Sequence, residues 1–206
     1  MKKELPYFNI EECRGGCQNW FFDPMMKLGG CAAIAACETC IYLSLYKGIK
    51  GLYPFDVQKL NKKDYLRFCK EMKPYLRPRI QGIDTLELFM GGFRGYLDNS
   101  EISCISMEGF SGKLPVKHAE TAVRRQLDAG LPIPFLLLNH KNRAFRDFVW
   151  HWFMVAGYED SGSGFYVRTI TYGKELYLSL SELWDTEYDK KGGMILYSLH
   201  PNPLSG

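Results

Sequence analysis

Apolar and polar positions change their period part-way along this chain. Through the first half they recur every three or four residues, the spacing of one helix face. Towards the end they alternate or run on continuously, as strands do. Residues 31–46 carry the clearest helical pattern. Ala32, Ala33, Ala35 and Ala36 are strong helix formers, Ile34, Cys37, Ile41 and Leu45 make a stripe, and Gly48 offers a C-cap. A second helix is expected from Asn61 or Lys62 to Met72, with Tyr65, Phe68, Cys69 and Met72 on one side and Pro74 and Pro78 closing it. A shorter helix is expected over residues 85–96, interrupted at Gly91-Gly92. Another is expected over residues 118–129, with Ala119, Ala122, Val123 and Leu127 inward and Gly130 as its stop. Strands are expected over residues 102–107, 133–138, 150–158, 164–171, 174–178 and 193–199, with a helical turn over 181–184. The first 24 residues are irregular and aromatic-rich. Helices first and an antiparallel sheet later is the α+β order, not alternating βαβ. With no repeat or linker, residues 1–206 read as a single domain.

Composition narrows the function classes. At 46% hydrophobic and 24% charged the chain is ordinary for a globular protein. A net charge of +3 gives no reason to expect a nucleic acid or an anionic membrane as partner. No stretch approaches the ~20 apolar residues that span a bilayer. Lys2 and Lys3 are followed by Glu11 and Glu12 rather than by the apolar core of a secretory signal, so a cytoplasmic location is expected. Seven cysteines, an odd number, then read as reduced thiols rather than a disulfide framework.

One of those thiols is placed for chemistry. In Leu28-Gly29-Gly30-Cys31-Ala32, two glycines end a loop and Cys31 opens the first helix. A helix N-terminus has unpaired N–H groups and a partial positive charge, and both favour a thiolate. A nucleophile needs a base, and there are four histidines. His118 opens a polar helix, His140 lies beside Lys141 and Arg143, and His200 is in the Pro-rich tail. His151 instead begins the apolar strand His151-Trp152-Phe153-Met154-Val155-Ala156-Gly157-Tyr158, where a fixed backbone can hold its ring across a cleft. Pairing with an imidazolium would lower the Cys31 pKa further. The plainer reading of each residue is a small core cysteine and a satisfied core histidine.

The Gly-Gly-Cys-Ala-Ala helix start resembles the nucleophile helix of papain-like cysteine peptidases. The later order is similar to the bacteriocin-processing branch that cleaves double-glycine leaders: a helix ending in Leu127-Asp128-Ala129-Gly130, then Leu131-Pro132-Ile133-Pro134 entering a strand, then the His151 strand closing in Gly157-Tyr158-Glu159-Asp160. The resemblance covers about residues 5–199. It implies a papain-like α+β fold, with the nucleophile helix among N-terminal helices packed on a C-terminal antiparallel sheet. It also implies a peptide or amide substrate, no cofactor, and Cys31 as nucleophile with His151 as general base. Water as acceptor gives a peptidase or amidase; an amine acceptor gives an acyltransferase. Gln18, with Asn19 beside it, is the implied oxyanion donor together with the Cys31 N–H, and residues 21–27 must then loop out. The family orients its histidine with an Asn or Asp on the next strand. Here Tyr166-Val167-Arg168-Thr169-Ile170-Thr171-Tyr172-Gly173 has neither, which leaves Thr169 or Thr171 for the task. Gly29, Gly30, Trp20, Phe21, Trp150 and Trp152 flank the site in sequence and read either as a substrate groove or as core.

Two other readings compete. A papain-like fold without activity could bind a peptide or protein partner, and the missing Asn or Asp favours it. Alternatively, Cys13 and Cys17 with Cys37 and Cys40 could make a four-thiolate zinc site, although Cys37 and Cys40 fall within the expected helix.

Overall fold

The structure, a computed structural model, describes residues 1–79 and 82–201. Its frame is an antiparallel sheet of seven strands. Six follow the order β4 (Ile105–Ser111), β9 (Gly193–Leu199), β5 (Ile133–Leu137), β6 (His151–Asp160), β7 (Phe165–Thr171) and β8 (Lys174–Ser179). The seventh, β1 (Lys2–Glu4), pairs with the second half of β6, beyond the part that β5 covers. β2 (Asn9–Ile10) and β3 (Cys13–Arg14) form a separate two-stranded ribbon.

Among the described residues six α-helices complete the α+β architecture: α1 (Pro24–Gly29), α2 (Cys31–Lys47), α3 (Lys62–Met72), α4 (Leu86–Asn99), α5 (Val116–Asp128) and α6 (Leu180–Trp184). Their ends follow capping chemistry. Asn61, Thr85 and Ser179 accept backbone N–H groups at the starts of α3, α4 and α6, and Gly48 closes α2 in the left-handed conformation at φ 67°. The core is one continuous apolar cluster. α2 lies inside it and packs on β6, β5 and α3, so from Cys31 to Leu43 only Ile34 is less than fully buried. A helix apolar around most of its circumference suits that central position.

Three expectations change. The interruption at Gly91-Gly92 does not occur: α4 runs through it, and a Cβ on Gly92 would stand 2.4 Å from the Tyr75 carbonyl oxygen. That glycine permits close packing rather than a break. The segment expected to loop out forms α1, with Pro24 at its first position and the Asp23 carboxylate accepting from the Met25 N–H. The strand expected over 102–107 is displaced to Ile105–Ser111, where it pairs residue for residue with β9, so tertiary pairing outweighs a weak local alternation. Among the described residues no helix is long and apolar enough to cross a membrane.

Candidate active site

Cys31 is the first residue of α2 and His151 the first of β6. Thr171 is the last residue of β7. These three, from segments far apart in sequence, line one small cavity of about 20 Å³ together with Gln18, Glu38 and Tyr172. That is room for about one water molecule. Cys31 and His151 are only 3% and 6% exposed, so both are largely withdrawn from bulk solvent.

The turn from α1 into α2 explains where the thiol points. The Gly30 N–H donates to the Met26 carbonyl, and a Cβ on Gly30 would come within 2.5 Å of that oxygen. A Cβ on Gly29 would come equally close to the Arg79 carbonyl. Only glycines allow so tight a junction, and the junction delivers Cys31 to the β6 backbone. The Trp152, Cys31 and Ala32 backbone N–H groups face the sulfur and lower its pKa. Burial outweighs them, and the Cys31 thiol lies above its ordinary value. Burial also pushes the His151 imidazole down, to about 4. The thiolate–imidazolium pair expected from the helix start is therefore not the resting state. Both groups rest neutral, because burial leaves neither charge well solvated.

The threonine alternative resolves by position. Thr171 Oγ1 lies 2.6 Å from His151 Nε2, whereas the Thr169 hydroxyl donates to the Leu176 carbonyl in the β7–β8 pair. Tyr172 and Gly173 are the two central residues of the hairpin that follows, at φ 51° and 75°, the signs a type I′ turn requires. The Tyr172 ring stacks on His151 at 4.6 Å with the planes 4° apart. Trp150, on the other side of His151 in sequence, is also left-handed at φ 55°. Two bulky residues in a disfavoured backbone region thus flank the histidine.

Gln18 is buried at the cavity, but its amide donates to the Met26 and Lys27 carbonyls at 3.1 and 2.7 Å. Both N–H groups of the Gln18 amide are thus occupied in tying its loop to α1. Asn19 is exposed. The flanking aromatics divide: Phe21 and Trp152 are core, with the Trp152 indole N–H on the Ile83 carbonyl, while Trp20 is half-buried and Trp150 is exposed beneath the Lys190 ammonium. The other three histidines are elsewhere: His118 is exposed, His140 bonds the Glu182 carbonyl, and His200 bonds Ser106.

The four-thiolate site does not assemble. Cys37 and Cys40 are buried within α2 beside Cys69, while Cys13 and Cys17 lie against the Gly173 turn. Among the described residues no group of three or more His, Cys, Asp or Glu side chains is placed to hold a metal ion.

One site residue is missing from the sequence reading. Glu38, seven positions beyond Cys31 and so on the same face of α2, is a fully buried carboxyl at the other end of the cavity. It accepts from the Tyr7 hydroxyl at 2.5 Å and from the Gly16 N–H at 2.8 Å. Burial raises its pKa to about 7 against the pull of those two donors. A glutamate within a helical apolar stripe was the available signal. No protein-family model matches the chain, and no curated protein matches it.

Proposed function

We propose that this protein is a thiol acyl-transfer enzyme of papain-like fold, acting on a peptide or amide carbonyl. Cys31 Sγ attacks the carbonyl carbon while His151 Nδ1 takes the thiol proton. Thr171 holds Nε2, which fixes the ring and leaves Nδ1 as the acceptor. Because the resting pair is neutral, proton transfer accompanies attack instead of preceding it. The oxyanion is met by N–H groups of the first turn of α2, not by Gln18. The carbon–nitrogen bond breaks as the imidazolium returns its proton to the leaving amine, and water or a second amine then resolves the thioester.

The observation that carries the reading is the convergence of Cys31, His151 and Thr171, each at the end of its own element, on one cavity. Alkylation tests it. With iodoacetamide at pH 7 and each cysteine followed by mass spectrometry, Cys31 is expected to react faster than partly exposed Cys13. His151→Ala is expected to slow Cys31 alone by ~100-fold or more. Equal rates at Cys31 and Cys13, unchanged by His151→Ala, would sink the proposal. A second reading, a papain-like fold that binds a peptide without cleaving it, is favoured by the threonine in place of Asn or Asp. It predicts that same null result together with retained peptide binding.

A further inference from the structure

Where residues 20–26 meet α3 lies a second, much larger concavity, about 650 Å³. Its walls are Trp20, Phe21, Phe22, Met26, Leu66 and Pro74. Phe22 is 96% exposed, and it lies within this apolar patch rather than alone. Lys70 and Lys73 from the end of α3 and its following turn supply the positive charge at the rim. The one carboxylate there, Asp23, is already ion-paired to Lys73, and Lys70 is exposed. A third cation, Lys62, sits 5.2 Å from the centre of the Trp20 ring. The groove is thus apolar in body and positive at its edge, within the size range of small-molecule sites.

Part of its backbone is already paired. The Trp20 and Phe21 N–H groups donate to Cys17 and Gln18, and the Met26 carbonyl accepts from both Gly30 and Gln18. An extended peptide gains affinity from free main-chain partners, and those groups offer none. A hydrocarbon chain needs none. We propose that this groove binds a single unbranched hydrocarbon chain bearing an anionic head, a carboxylate or a phosphate ester, with the chain against Phe22, Leu66 and Met26 and the head at Lys70. The inner wall also touches the nucleophile's junction, since a Cβ on Gly30 would lie 3.0 Å from Met26 Cε.

Calorimetry on the full chain tests this, using dodecanoate and dodecyl phosphate below their micelle concentrations, with dodecyltrimethylammonium as the cationic control. Runs on Cys31→Ala as well as wild type keep the outcome independent of thiol chemistry. One equivalent of at least one anion is expected to bind, with the tighter of the two identifying the head group, and the cation is expected not to bind. Phe22→Ser, at an exposed position that leaves the fold intact, should weaken binding ~10-fold. Lys70→Glu should weaken it ~5-fold. No binding of either anion, equal binding of the cation, or affinities untouched by both substitutions would each overturn the proposal. So would an acidic amphipathic peptide that occupies the groove when neither anion does.

Discussion

The cavity beside α2 has two ends, and they respond to the same force in opposite directions. At one end His151 is pushed down to about 4; at the other Glu38 is pushed up to about 7. In both cases burial disfavours the charged form. For an imidazole the charged form holds the extra proton, and for a carboxyl it lacks it, so one cause gives opposite pH slopes. His151 contributes stability that is complete above its unfolded value of 6.5 and is lost as pH falls towards 4. Glu38 contributes stability that is complete below 4.5 and is lost as pH rises towards 7. Each amounts to ~3 kcal/mol at the conversion of 1.36 kcal/mol per pH unit. Between pH 4.5 and 6.5 the two slopes nearly cancel. The lesson is that this cavity holds two buried ionisable groups at little net cost in pH sensitivity.

The comparison can be broken at either end. The largest effect is kinetic and belongs to the His151 end: His151→Ala costs ~100-fold or more in Cys31 alkylation, while Glu38→Gln leaves that rate within a few-fold of wild type. Next come the stability slopes, measured by urea unfolding from pH 4.5 to 7.5. Glu38→Gln removes the falling contribution, so stability should climb by ~3 kcal/mol as His151 loses its proton in the unfolded chain. His151→Asn removes the rising one, so stability should fall by a similar amount over the same window. If both variants keep the flat profile of the wild type, the two groups do not titrate as their burial requires. A smaller effect follows from Thr171→Val, which keeps the shape but removes the Nε2 partner. Cys31 labelling should drop ~10-fold, whereas Thr169→Val, which loses only its bond to Leu176, should leave labelling unchanged. The smallest is Tyr7→Phe. It deletes a donor that favours the carboxylate, so the Glu38 midpoint, followed by carbon-13 NMR of the carboxyl, should move above 7 with ~1 kcal/mol lost at neutral pH.

Much of this molecule is legible locally. The start of α2 at Cys31 and its stop at Gly48, the Asn61 and Thr85 caps and the start of β6 at His151 follow from periodicity, propensity and capping. Each of these acts over a turn or two of chain. The same local signals mislead where distant packing decides. Gly91-Gly92 reads as a break until the Tyr75 carbonyl is seen against Gly92, and residues 21–27 read as a loop although Asp23 and Pro24 hold the start of α1.

The sequence alone determined the α+β order of elements and the two residues, Cys31 and His151, on which the functional reading rests. Only the tertiary structure decided which threonine reaches the imidazole, that Gln18 has spent its donors, that Glu38 shares the cavity, and that thiol and imidazole rest uncharged. The reason is the range of the forces. Helix starts and caps depend on neighbours in sequence, whereas desolvation and hydrogen-bond partnership depend on what the fold packs around a group. For Cys31 that surrounding comes from β6, β7 and the loop before α1, none of which is adjacent to it in the helical pattern.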